Sequence, residues 1–241
     1  MKVLFTDGGS AGHVTPNLAL MAEVHRRGGS AVYVGSHDGI ERDLIGRTEV
    51  PYHAIRSGKL RRYFSWQNFI DPLNVLVGLV QALNVVMRER PDVVFSKGGF
   101  VSVPVVVAAY LLRVPVICHE SDIVPGLANR LCRPFSRLMC VNFPETARYL
   151  PHRRVEVTGT PLREGILAGD AAVARSRLGI TAGRRVLLAF GGSLGAARIN
   201  DAIADALDDL LIEYDVIHVA GAGGSTPARA GYHPFEYVHE G

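Results

Sequence analysis

His13 closes a glycine-rich run, Gly8-Gly9-Ser10-Ala11-Gly12-His13, that follows the apolar, strand-prone Val3-Leu4-Phe5 and leads into a helical pattern. A strand, a glycine turn and a helix put free backbone N–H groups at the positive end of a helix dipole, where an anion is favoured. Glycine is required there because a Cβ would block the close approach of a phosphate or strain the backbone. An imidazole at that helix start is the best candidate general base for a reaction at a phosphate-bearing ligand. The plain alternative is a first-turn histidine satisfied by backbone. Glu120 and Asp122 come just after the apolar run 115–118, at the strand end where α/β folds place ligands. Either carboxylate can orient His13 or act as the base itself, and for Glu120 a structural role is equally open. The neighbouring His119 is as well suited to packing as to function.

Two further glycine turns have the same character. Lys97-Gly98-Gly99-Phe100 follows a β-branched run, and Gly191-Gly192-Ser193-Leu194-Gly195-Ala196 follows Val186-Leu187-Leu188-Ala189-Phe190. Gly98 and Gly99 are therefore candidate phosphate contacts, as are Ser10, Ala11 and Gly12 of the first turn. Ser193, with the backbone around Gly192, would hold a second phosphate at a second helix start. Arg163, after Gly159-Thr160-Pro161, has the fork of donors that suits a diphosphate; a plain surface arginine is the other reading. His218 lies inside an apolar strand pattern and reads as structural. No Asp-x-Asp cluster stands out, so neither a metal nor a cofactor is expected.

Short β-branched runs alternate with amphipathic stretches along the chain, the pattern of a parallel sheet with crossover helices. Expected strands are 2–6, 31–35, 52–56, 93–96, 115–118, 138–142, 155–158, 185–190 and 215–220. Expected helices are 15–27, 39–46, 73–89, 101–112, 125–134, 144–149, 172–178 and 195–209, the first with Pro16 near its start and Gly28-Gly29 after its end. The stretch 161–184 carries no strand pattern and marks a domain boundary, giving domains 1–164 and 165–241. The second domain is expected to be cut short, because a doubly wound sheet usually has about four strands or more.

Composition sets the class. With 241 residues, 48% hydrophobic and 20% charged, the chain buries a large core as an α/β protein. A formal net charge of +3 is too weak to argue for a nucleic-acid partner. Cys118, Cys132 and Cys140 lack metal-ligand spacing and read as reduced, packed thiols. Met1-Lys2 runs straight into strand residues, so no signal peptide is expected and the chain reads as cytoplasmic. The helix at 73–89 is apolar on two sides: a stripe of Leu73, Leu76, Val77, Val80, Leu83 and Met87 is expected to face the core, and Val75, Leu79, Ala82 and Val86 lie opposite. Asp71, Pro72, Asn74, Gln81 and Asn84 interrupt it too often for a membrane span. Lys59, Arg61 and Arg62 with Tyr63, Phe64 and Trp66 form a basic, aromatic cluster suited to an anionic membrane surface; a solvated basic turn beside a buried helix is the alternative.

Five blocks together resemble the MurG glycosyltransferases: Gly8-Gly9-Ser10-Ala11-Gly12-His13 with Pro16; Gly98-Gly99-Phe100-Val101-Ser102 with Pro104; His119-Glu120-Ser121-Asp122 with Gly126-Leu127-Ala128-Asn129; Gly159-Thr160-Pro161 with Arg163; and Gly191-Gly192-Ser193. The resemblance implies a GT-B architecture, two Rossmann-like doubly wound domains with the active site in the cleft. It makes residues 1–164 the acceptor- and membrane-facing domain, and 165–241 the start of the UDP-sugar donor domain. It implies transfer of N-acetylglucosamine from UDP-N-acetylglucosamine to the undecaprenyl-linked muramyl-pentapeptide in cell-wall synthesis, with inversion, by a peripheral protein on the inner face of the cytoplasmic membrane. It also makes Asn129 a candidate substrate contact. The chain departs from the family's commonest pattern at Ser10-Ala11, where Thr-Gly is usual, and at Asp122, where many members have asparagine. The family's later donor-binding segment lies beyond residue 241, so this stretch alone is expected to be inactive. Another nucleotide-sugar transferase of the same architecture, or a non-catalytic acceptor-binding module, remains a different reading of the same residues.

Overall fold

In a computed structural model, residues 1–8, 11–58, 67–150, 154–162, 164–180, 183–191, 195–221, 224, 227–236 and 238 are described. The chain divides into two compact units, Met1–Arg163 and Glu164–Gly241.

The first unit alternates strands and helices: β1 (Lys2–Thr6), α1 (Ala11–Arg26), β2 (Ser30–Gly35), α2 (Ile40–Ile45), β3 (Tyr52–Ala54), α3 (Gln67–Glu89), β4 (Val93–Ser96), α4 (Ser102–Leu111), β5 (Val116–Glu120), α5 (Leu127–Cys132), β6 (Leu138–Val141) and β7 (Val155–Val157). Its seven strands are all parallel, in the order β3-β2-β1-β4-β5-β6-β7. The β-period sends alternate residues of β1 to opposite faces. Leu4 enters the cluster with Val94, Val105, Ala82 and Val86 under α3 and α4, while Val3 and Phe5 enter the cluster with Val14, Met21 and Ile45 under α1 and α2. Helices on both faces explain why the strands read as continuous apolar runs. The order reverses between β1 and β4, which leaves a crevice at their C-terminal ends.

The second unit contains α6 (Ala171–Leu178), β8 (Arg185–Phe190), α7 (Ala197–Glu213), β9 (Tyr214–Val219) and β10 (Tyr232–Phe235). The strands are parallel in the order β10-β9-β8. Asp170 caps α6, accepting hydrogen bonds from the backbone N–H groups of Ala172 and Val173. β10 was not legible, because Pro234 cannot donate to a ladder and argues against a strand; the structure tolerates it in a four-residue segment beside β9.

Three helix expectations need correction. α1 begins at Ala11, so Pro16 lies inside the helix rather than near its start. The expected 125–134 helix splits into α5 and a 3-10 turn at Arg133–Phe135, and 144–149 is a 3-10 turn at Pro144–Arg148. Proline near the start of each turn fits that tighter winding.

The stripe assignment on α3 is reversed except at Leu83, the one described residue of the expected inner stripe that packs on the core. Ala82 and Val86 are buried and Leu79, Leu83 and Val85 pack on the same core, whereas Leu76, Val77, Val80 and Met87 are exposed, Leu76 and Val80 by 59% and 58%. With apolar residues on both sides, periodicity cannot choose the inner face; Gly78 does. A Cβ there would strike the carbonyl oxygen of Arg56 and approach Pro104 to 3.7 Å. The helix therefore turns its small-residue row, Gly78 and Ala82, inward. The basic, aromatic cluster at 59–66 lies outside the described residues.

Candidate functional site

The C-terminal ends of β1, β4 and β5 finish in polar residues that are nonetheless buried: Thr6 and Asp7, Ser96 and Lys97, His119 and Glu120. They converge on the crevice between β1 and β4. The two turns that close it are pressed together. Gly98 and Gly99 have φ of +92° and +87°, a region that L side chains rarely adopt. A Cβ on Gly99 would collide with the Gly8 carbonyl oxygen and stand 2.7 Å from Gly8 N, and one on Gly8 would stand 2.9 Å from Val101 Cγ2. The first turns of α1 and α4 thus start side by side, with their N–H groups at one end of the sheet, an arrangement favourable to an anion. A Cβ on Gly12 would meet nothing within 4 Å. Its missing side chain serves no packing and leaves open space.

His13 lies in the first turn of α1, half-buried, and its Nδ1 has no hydrogen-bond partner among the described residues. Burial first, and Lys97 second, hold its pKa below the ordinary histidine value, against the opposing pull of Glu120 and Asp122. The ring is therefore neutral near pH 7, as a base must be.

Glu120 is 6% exposed and fully engaged. Oε1 accepts from Asp122 N at 3.0 Å; Oε2 accepts from Gly126 N at 3.0 Å and from Asn129 Nδ2 at 2.9 Å. Asn129, 4% exposed, also donates to the His119 carbonyl at 3.0 Å, and its Oδ1 lacks a partner among the described residues. Together they brace the loop that carries Asp122, whose own carbonyl accepts from Thr146 Oγ1 at 3.1 Å. The Asp122 side chain is exposed. Glu120→Gln turns an amide toward one of these N–H donors; it is expected to lower stability by about 2 kcal/mol, the range for hydrogen bonds to charged groups, read as a urea midpoint shift.

Two groups at this crevice carry no strong sequence signal. Lys97, 2% exposed, donates from Nζ to His119 Nδ1 at 2.8 Å and to Ser121 Oγ. Burial lowers its pKa to about 8, although Glu120, Asp122 and Asp7 raise it. The available hint was a lysine continuing the run Val93-Val94-Phe95-Ser96 without a break. Asp7, fully buried, accepts from Asn17 Nδ2 at 3.1 Å, and its other oxygen has no partner among the described residues. Burial pushes it up to about 7, with Glu41 adding to the rise and Tyr33, Lys97 and Asn17 opposing it. A carboxylate wedged between a strand and Gly8 reads as a turn residue until its depth is known.

Ser10, Arg163, Gly192 and Ser193 lie outside the described residues, and Ala11 is described only as the first residue of α1. A cavity of about 450 Å³ adjoins the crevice, lined by Gly8, Phe100 and Val101 on one side and by Ser36, Ile40, Ile55 and Arg56 on the other; it does not reach His13 or Lys97. In the second unit, the flank of the third turn is tight: Gly195 has φ +75°, and a Cβ there would strike the Ala220 carbonyl. His218 is buried between Tyr232 Oη at 3.0 Å and Asn200 Oδ1 at 3.1 Å.

Residues 3–139 match the profile of the glycosyltransferase family 28 N-terminal domain. The chain is 49% identical over 243 residues to the UDP-N-acetylglucosamine–N-acetylmuramyl-(pentapeptide) pyrophosphoryl-undecaprenol N-acetylglucosamine transferase of Geobacillus kaustophilus, covering 99% of this chain and 68% of that protein. It is 47% identical over 242 residues to the transferase of the same name from Clostridium perfringens, again with 99% and 68% covered. Among solved structures, Acinetobacter baumannii MurG superposes with a TM-score of 0.72 at 23% identity, covering 99% of this chain and 68% of that one. The UDP-GlcNAc 2-epimerase of Neisseria meningitidis, bound to UDP-GlcNAc, superposes with a TM-score of 0.64 at 14% identity, covering 100% and 73%; at these identities the likeness is one of fold.

Proposed function

We propose, from the premise that this chain belongs to glycosyltransferase family 28 and within it to the MurG transferases, that it moves N-acetylglucosamine from UDP-N-acetylglucosamine to undecaprenyl-pyrophosphoryl-N-acetylmuramyl-pentapeptide, turning lipid I into lipid II. The observation that carries this reading is identity of 47–49% across 99% of the chain. The paired glycine turns at the β1–β4 crevice support it, because an acceptor joined to its lipid through a diphosphate needs an anion cradle. In this reading the N–H groups of the first turns of α1 and α4 hold that diphosphate, and His13 takes the proton from the attacking acceptor hydroxyl. The hydroxyl oxygen displaces UDP directly from the sugar's anomeric carbon, so an α-linked donor gives a β-linked product. Asp122 lies at the rim and is the next candidate for the base. Glu120 and Asn129 act by fixing the loop that bears it. Gly192, Ser193 and Arg163 belong to the donor's diphosphate. Purified full-length protein supplied with UDP-N-acetylglucosamine and a lipid I analogue is expected to release UDP. Turnover with a different acceptor but not with this one would move the reading to another transferase of the same architecture.

The same reading places the protein peripherally on the inner membrane face, since its acceptor stays in the bilayer. Among the described residues no helix is long and apolar enough to cross a membrane. The exposed ridge of α3, Leu76, Val77, Val80 and Met87, follows the basic, aromatic segment in sequence, and both suit a lipid surface. Each cation near an anionic surface contributes about 1 kcal/mol. Arg61→Glu with Arg62→Glu is therefore expected to weaken sedimentation with anionic vesicles, and added salt to do the same. Activity on a soluble, short-chain acceptor should persist. Vesicle binding that ignores the double reversal would remove the basic segment from the contact.

A further inference from the structure

Lys97 is a charged side chain buried without a charged hydrogen-bond partner. Its backbone N–H donates to the Thr6 carbonyl at 3.0 Å, making it the last rung between β4 and β1, directly before Gly98 and Gly99. Its ammonium reaches under the β5 loop to His119 Nδ1 at 2.8 Å and to Ser121 Oγ. His119 Nε2 faces the Gly159 carbonyl at 2.9 Å. A carbonyl only accepts, so Nε2 carries the proton and Nδ1 is the lone pair that receives the lysine's N–H. Burial first, and Lys97 next, hold His119 down to about 4, so this partner is neutral. Ser121 is neutral as well. Glu120, the buried carboxylate next along β5, is occupied by the three N–H donors of its own loop. A buried ammonium costs several kcal/mol unless a counter-charge completes it.

Resting on the proposed acceptor, we infer that Lys97 is a positioning residue for the acceptor's diphosphate: its ammonium, held by neutral His119 and Ser121 behind the Gly8 and Gly98–Gly99 turns, supplies the fixed positive charge that the anion completes. The backbone N–H groups give the diphosphate its direct contacts, and Lys97 adds the field behind them. Glycine keeps these turns close-packed: a Cβ on Gly98 would stand 3.1 Å from Asn129 Nδ2, and one on Gly99 would strike the Gly8 backbone. The groups that face this ammonium electrostatically are Glu120 and Asp122 from β5 and its loop, Asp7 from the end of β1, and the rings of His13 on α1 and His119 on β5. The three carboxylates favour its charged form and burial opposes it, so the free protein holds the proton only loosely.

The test is calorimetric binding of a short-chain lipid I analogue, whose diphosphate diester does not titrate near neutral pH, with no donor present. Lys97→Met is expected to weaken binding by about tenfold or more, as loss of a buried charge partner does. In turnover assays of the full-length protein the KM for UDP-N-acetylglucosamine should stay within about twofold, which a merely structural lesion would not spare. In the natural protein affinity should fall as pH rises through about 8, the value to which burial brings Lys97. Lys97→Arg, which cannot lose its proton, should bind tightly and evenly from pH 6 to 9 or so. That arm keeps the inference testable if Lys97→Met does not fold. Equal binding by the natural protein and folded Lys97→Met, or a pH dependence that Lys97→Arg leaves unaltered, overturns the role of Lys97 alone. Failure of the natural protein to bind the analogue overturns the acceptor reading and this inference with it.

Discussion

His13→Ala is expected to lower turnover by about 10²–10⁴-fold, the contribution of a positioned acid–base group, while leaving the donor's KM nearly unchanged. The asymmetry follows from when a base acts. It interacts with the acceptor proton mainly in the transition state, so its removal falls on kcat and not on ground-state binding. The structure supplies the two conditions such a base needs. Its Nδ1 is uncommitted among the described residues, and burial with the Lys97 charge keeps the ring neutral. Because the ring's pKa lies below the ordinary histidine value, the rate should hold as pH falls to about 6.5 and decline only below it. Steady-state kinetics across pH 5–9 or so, on the natural protein and the variant, measures both features. Turnover within about threefold of the natural protein would place the base elsewhere, with Asp122 the first residue to replace.

Asp7→Asn is expected to stabilise the protein above neutral pH and to flatten its pH dependence. Burial raises this carboxyl from its ordinary 3.8 to about 7, so the folded state binds the proton more tightly than the unfolded chain does. The favourable contribution is complete below about pH 4, shrinks as pH rises, and is gone once the pH passes about 7, where the folded protein must hold a buried carboxylate. A separation of about three units at 1.36 kcal/mol each sets a ceiling of about 4 kcal/mol; relaxation of the surroundings makes about 2 kcal/mol a fair working figure. An isosteric amide removes the ionisation and keeps the shape. Urea unfolding at pH 5 and pH 8 should show the variant gaining over the natural protein at the higher value and little difference at the lower. An equal gain at both would mean that the amide acts through packing, not through the lost charge.

The parallel sheet, the Gly98–Gly99 turn and the convergence of His13 with Glu120 and Asp122 near one crevice were legible because each rests on local signals: β-branched runs, glycine, and strand ends. What was not legible depends on depth. For Glu120 the sequence leaves a catalytic and a structural role equally open until the loop from Asp122 to Asn129 is seen folded over it. Lys97 reads as part of a glycine turn until His119 and Ser121 are found at its tip. The α3 face was misassigned because two apolar stripes compete and only close approach at Gly78 decides between them. β10 escaped because its proline breaks the usual rule for strands.

Contact between the Gly8 and Gly99 backbones also restricts how this site can change. In an ordinary core, an enlarged side chain is accommodated by shrinking its neighbour, and pairs of substitutions rescue one another. At Gly99 the obstacle is the main chain of Gly8, which no replacement can shorten. Compensation is therefore closed off, and the two turns accept variation only as a unit. A library aimed at new acceptors does better to hold both glycines fixed and diversify the cavity wall at Ser36, Ile40 and Arg56, where side chains have other side chains to yield to.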